Sequence, residues 1–383
     1  MEWWIAAISS KPASWGRDKE WEPPQRSEMK SQAASILGNS QMNTREPSAP
    51  ERRTHWRPAL ILTLAAPMFA ELLSSSAPPG VFFIPWVFAL FVLLYGLGAL
   101  LIRELVTRWG QGWPSALLLG AAFGILEEGI AAKTFFDPHW HALGRLGSHG
   151  RWLGVNWVWA ADLILFHAVF SVALPILLVN LLAPKLQNEP WIGRGALAVA
   201  AILFSLDLLL FFRKGNAYQA PPSYYGLSLA VVALLYLLAR HFPKRLLRAR
   251  PGQEVSASRY AALGFCVTGV WVFLVYGLPA IQPRPLVTLA LVCALAICAA
   301  WFVTRWSGNG SDWTPRQQFG LLSGALGFFA ALAPFQELNP ARSDSARGMA
   351  LVGLGTFIFL FWVRRHVVRT DPIRMGKPWR GEK

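Results

Sequence analysis

The chain has 383 residues, 54% of them hydrophobic and only 15% charged, against about 25% charged in an ordinary soluble domain. Its 36 Lys and Arg outnumber 21 Asp and Glu, for a formal net charge of +15. This composition excludes a disordered chain. The gathering of apolar residues into long runs argues against a soluble enzyme and for an all-α, polytopic integral membrane protein.

Residues 1–56 are polar and rich in Ser, Pro and charge, and are expected to form a flexible tail. The opening MEWWIAAISSKP lacks the pattern of a signal peptide, and Met29 and Met42 offer alternative in-frame starts. A transmembrane domain over 57–365 follows, and residues 366–383 form a basic tail. A bilayer crossing takes about 20 apolar residues. Ten runs qualify: 58–76, 81–102, 113–132, 153–181, 195–212, 224–240, 260–281, 286–304, 317–336 and 347–363. Pro67, Pro175 and Pro279 fall inside them, as helices supported by neighbours in a membrane allow.

With the N-terminus inside, alternate loops from Arg52 onward hold 22 Lys and Arg on the cytoplasmic side and 8 on the other. This asymmetry predicts both termini in the cytoplasm and a plasma-membrane protein. It also accounts for the basic charge without a nucleic-acid partner. The run 240–250, RHFPKRLLRAR, is either part of that topology signal or a site for anionic lipid headgroups. Cys266, Cys293 and Cys298 lie in apolar runs without metal or disulfide spacing.

Ionisable groups at bilayer depth are costly and mark interior or water-lined positions. The chain keeps Glu71, Glu127, Glu128, Asp162, His167 and Asp207 there. In the third span Gly120, Gly124 and Glu128 share one face, whose small residues let another helix approach closely. Glu127 and Glu128 are about 100° apart on a helix, so only one is expected to point down that seam. Two carboxylates this close in low dielectric do not both ionise readily, which suits a proton shuttle or general base. The structural alternative pairs a glutamate with Lys133 or Arg151. In the fourth span Asn156, His167 and Ser171 fall on one polar stripe, while Asp162 points elsewhere, still within reach of a neighbouring helix. The loop between these spans carries Asp137, His139, His141 and His149, whose imidazoles suit a transition metal or simply an interfacial loop. Glu71 and Asp207 are expected either to partner a buried cation or to line the same cavity.

Two resemblances follow from these residues. The block Gly120–Pro184 resembles one in a family of uncharacterised multi-span membrane proteins of bacteria and archaea, which implies no chemistry. The Glu127–Glu128 pair with the later His167 resembles the CPBP (Abi/CAAX-protease-like) intramembrane metalloproteases. Glu127 and Glu128 match the start of their Glu-Glu-x-x-x-Arg motif, with Ala132 at the Arg position. His167 matches the Phe-x-x-x-His motif, with Leu163 at the Phe position. The PrsW-type glutamate proteases also pair two Glu with a later His, but their Lys falls three residues after the second Glu, whereas Lys133 falls five after it.

The CPBP resemblance implies an intramembrane hydrolase. Glu127 or Glu128 would activate a water, and His167 with Asp162 would orient it. A divalent metal such as zinc would sit on His167 and Glu128. The same groups suit a proton-coupled carrier, or a scaffold in which they only pin helices together.

Overall fold

Hydrocarbon offers the backbone no hydrogen-bond partner, so each apolar run closes its bonds internally as a helix. The computed structural model describes residues 54–243, 252–310, 312–340, 342 and 344–370. Helix α1 covers Trp56–Pro67 and continues as a π-helical turn, Met68–Leu72. The others are α2 (Pro85–Arg108), α3 (Trp113–Ala131), α4 (Trp157–Leu182), α5 (Arg194–Lys214), α6 (Pro222–Arg240), α7 (Ala257–Ala280), α8 (Pro285–Trp306), α9 (Pro315–Glu337) and α10 (Met349–Arg369). Proline near the start of α2, α3, α6, α8 and α9 fits its preference for the first turn, where its missing N–H costs nothing. Thr314 and Gln317 add a capping box to α9.

Among the described residues nine helices, α2 to α10, are long and apolar enough to cross a bilayer. The fold is thus a polytopic all-α membrane protein, and of the ten expected runs the first, α1, forms the shortest helix. Its 12 α-helical and 5 π-helical residues reach about 26 Å, short of the roughly 30 Å hydrocarbon core. The helix stops at Leu72 because a turn follows, in which the Ser74 hydroxyl donates back to Ala70 O (2.6 Å). Helix α1 is nonetheless interior: Leu62, Ala66 and Ala70 are fully buried.

Helix α4 is the most buried of the spanning helices, whereas α5, α6 and α8 expose most of their length. The most extensive helix pairing joins α7 to α9. Glycines permit it: a Cβ on Gly264 would meet Leu321 O at 2.5 Å, as small-residue seams in membranes require.

The fourth span starts later than expected. Residues 151–156 form a two-stranded antiparallel hairpin, Arg151 opposite Asn156 and Trp152 opposite Val155. Its two turn residues, Leu153 (φ 52°) and Gly154 (φ 72°), both take positive φ, as a tight hairpin turn demands. The tail 1–53, most of the basic run 240–250, and residues 371–383 lie outside the described residues.

Candidate functional site

Five π-helical turns occur among the described residues: Met68–Leu72 in α1, Val92–Gly96 in α2, Ile125–Ala131 in α3, His167–Ala173 in α4 and Phe273–Gly277 in α7. Each carries at least one member of a single polar cluster. They hold Glu71, Tyr95, the Glu127–Glu128 pair, His167 with Ser171, and Tyr276. Single π turns inside α-helices recur at functional sites.

The α3–α4 seam assembles the centre. A Cβ on Gly120 would lie 2.7 Å from Ala168 Cα, and one on Gly124 3.2 Å from His167 Cβ. The two glycines therefore bring the helices together at the histidine. His167 is 2% exposed and Glu127 2%. Nδ1 of His167 lies 3.4 Å from Glu127 Oε2, and its Nε2 lies 3.5 Å from Glu128 Oε1. Both glutamates therefore face the imidazole, where an ideal α-helix predicted only one. The π turn changes the angle between consecutive side chains, and the ring presents a nitrogen to each carboxylate.

The cluster continues on both sides. The Tyr95 hydroxyl bonds to Oε1 of both Glu71 and Glu127, and its ring stacks on His167 at 6.0 Å between centroids. Nδ1 of His167 also meets Ser171 Oγ at 2.9 Å. Glu128 Oε2 accepts from Thr134 Oγ1 (2.5 Å), whose oxygen accepts from Trp159 Nε1 (3.1 Å). One turn and more away on α4, Asp162 Oδ2 accepts from the Tyr276 hydroxyl of α7 (2.9 Å).

Glu127 Oε2 and His167 Nε2 are buried, and their contacts across the imidazole, 3.4 and 3.5 Å, are longer than good hydrogen bonds. One ligand atom from each of Glu127, Glu128 and His167 lies within 4.8 Å of the others, the one group of three metal-ligand residues found among the described residues. Two carboxylates and an imidazole suit zinc or manganese.

The remaining candidates stand apart. Lys133 adopts a left-handed conformation (φ 62°) at the end of α3 and donates to Phe212 O and Asn216 O, both at 2.7 Å. It caps the end of α5, and burial pushes its ammonium below the ordinary lysine value. Arg151 donates to carbonyls of Gly147, Phe136 and Asp137. Neither cation pairs with the glutamates. Asn156 is no part of the His167 stripe: it caps α4, accepting from Trp159 N (3.1 Å) and donating to Leu146 O (2.6 Å). Asp137 holds the loop by accepting from His139 N and Asn216 Nδ2, both at 2.9 Å. His139 is exposed, and the His141 side chain lies outside the described residues. Asp207 is buried in α5, with no hydrogen bond or ion pair to the cluster. Glu71 does join it, through Tyr95. Tyr95 and Tyr276 went unnoticed in the sequence, because a tyrosine in an apolar run carries no signal of its own.

Spanning helices around a buried carboxylate–imidazole centre define the class, a polytopic α-helical membrane protein. The model of an uncharacterized membrane protein family matches residues 60–373, so the chain belongs to that family. The match reaches well beyond the Gly120–Pro184 block and does not extend to the CPBP proteases. No curated protein and no solved structure matches the chain.

Proposed function

We propose that Glu127, Glu128 and His167 form the reaction centre of a metal-dependent intramembrane hydrolase. The observation that carries this reading is the convergence of three ligand groups within 4.8 Å, two of them offering buried atoms held only by long contacts. Three protein ligands with a position left open is the arrangement of catalytic rather than structural sites. A divalent ion supplies a water of near-neutral pKa and polarises a substrate oxygen. Glu127 and His167 are held by packing, with Tyr95 and Ser171 fixing their orientation. Glu128 is the least buried, with 15% of its side chain exposed. It would complete the ligand set, with its Oε2 held by the Thr134 hydroxyl.

The experiment is metal analysis of the detergent-purified chain by mass spectrometry, beside Glu128→Gln and His167→Ala. About one ion per chain, lost in both variants, supports the reading. A wild-type chain without bound metal sets it aside.

A second reading, a proton-coupled carrier, is favoured by the unbroken succession Glu71–Tyr95–Glu127–His167–Glu128–Thr134. Intramembrane acids and histidines in such order serve as proton relays. Uptake of protons by metal-free proteoliposomes, abolished in Glu127→Gln, would move the assignment there. The location we propose is the plasma membrane, with both termini in the cytoplasm and the basic 240–250 segment against anionic headgroups. Reporter fusions at either end test that orientation.

A further inference from the structure

We infer that this site is entered sideways from the bilayer, past Tyr276, and that its substrate is an amphiphile carried in the membrane; this rests on the reaction-centre reading above. Tyr276 lies on the π turn of α7 and is 51% exposed, yet its hydroxyl reaches inward to Asp162, which is 1% exposed. A single phenol ring thus separates a buried carboxylate from the outer surface. That surface is apolar: Phe273 and Ile281 beside it are themselves largely exposed. In a spanning helix such a surface meets lipid.

Behind Tyr276 the carboxylate has a second polar neighbour. Asp162 Oδ1 and Trp271 Nε1 are both buried, and the Trp271 indole is directed at the same carboxylate as a hydrogen-bond donor. It is held against Phe166 and Phe170, each at 6.0 Å between centroids, and these two follow Asp162 along one face of α4. A ligand hydroxyl or amide can exchange with the indole or the phenol at this carboxylate, since each is a hydrogen-bond donor.

At the end of the same helix a cavity of about 300 Å3 is lined by Ser148, His149, Gly150, Pro279, Pro283 and Pro285. It begins three residues beyond Tyr276 and includes the imidazole that meets Thr288 Oγ1 at 3.2 Å. Gly277 and Pro279 directly follow Tyr276, so the segment holding the ring lacks regular helix on that side. An amphiphile meets this order of surfaces: a polar cavity for its head, an apolar wall for its chain, and a buried hydrogen-bonding pair beside the Glu128–His167 centre.

Carbodiimide labelling of the full chain in lipid nanodiscs tests the inference. Dicyclohexylcarbodiimide dissolves in the bilayer and modifies carboxyls it can reach, whereas a water-soluble carbodiimide reports access from the aqueous side. Labelling of Asp162 is read by peptide mass spectrometry. Tyr276→Phe keeps the ring and loses the hydrogen bond, so labelling by the lipid-soluble reagent should rise about fivefold, the population shift expected for one such bond. Tyr276→Ala should raise it further. The water-soluble reagent should leave Asp162 unmodified in both. Equal labelling of wild type and Tyr276→Ala by the lipid-soluble reagent, or preferential labelling by the water-soluble one, would overturn lateral entry. Metal content separates the two ideas: failure of lateral entry leaves the ion in place, whereas failure of the reaction-centre reading appears as a wild-type chain without metal.

Discussion

Two of the buried charge clusters among the described residues are built on opposite plans. At the end of α2, Glu104 is fully buried. Its Oε1 accepts from Arg103 (2.7 Å) and from Trp191 N (2.8 Å), and its Oε2 accepts from Arg108. Arg103 also donates to Leu186 O and Gln187 O and stacks 3.5 Å over the Trp191 ring. Apart from Arg103 Nε, every charged group there has found an opposite charge or a carbonyl. At the Glu127 centre two glutamates flank one imidazole, at 3.4 and 3.5 Å, without a short hydrogen bond to it. A satisfied network clamps the 184–192 connection to the helix end. An unsatisfied one retains bonding capacity for something that arrives.

The sharpest way to break this contrast is to remove the central acid from each. Glu104→Ala strands two arginines, and removing one partner of a buried pair costs about 3–5 kcal/mol. A large fall in the thermal midpoint in detergent is expected. Glu127→Gln, nearly the same shape, should shift the midpoint far less while abolishing metal binding. If both variants unfold alike, the two clusters are the same kind of structure and the distinction falls.

A second test separates packing from chemistry. Gly120→Leu forces a side chain into Ala168, and overpacking of this kind costs typically 1–3 kcal/mol. Because the same seam carries His167, metal content should fall together with stability. At Gly264, between α7 and α9, the equivalent Gly264→Leu should reduce stability and leave the metal in place.

The smallest effect concerns His149, a half-buried group between these extremes. Burial holds its imidazole below the ordinary histidine value. The unfolded chain therefore binds more protons between that lowered value and about 6.5, so folding stability falls as pH drops through this window and is fully present above it. The wild type should lose stability on acidification relative to His149→Gln, measured as a difference between their melting curves across that range. A flat difference would show that the cavity beside α7 tolerates the charge.

Much of this was legible in the chain. The apolar runs located the nine spanning helices found among the described residues, because hydrocarbon leaves the backbone no other choice. Glu127, Glu128 and His167 stood out because charge at that depth is rare, and the Gly120–Gly124 spacing foretold which face would be approached. What stayed hidden depended on local departures from α-geometry. Asn156 read as a helix residue because nothing in GVNW announces a hairpin turn with leucine in a left-handed conformation. The second glutamate seemed to point away because the count assumed 3.6 residues per turn. Tyr95 and Tyr276 were silent because a tyrosine in an apolar run is chemically ordinary until an acid is set opposite it.

The π turns carry one more consequence, for how such a molecule changes. Each holds one residue beyond the α-helical count. Deleting that residue would turn everything beyond it by about 100° while leaving the other half of the helix as it was. In α1, α2, α3, α4 and α7 the two ends of the helix are therefore separately adjustable. One can keep its place in the bilayer while the other is re-aimed, so the chain can rework its polar centre one inserted or deleted residue at a time.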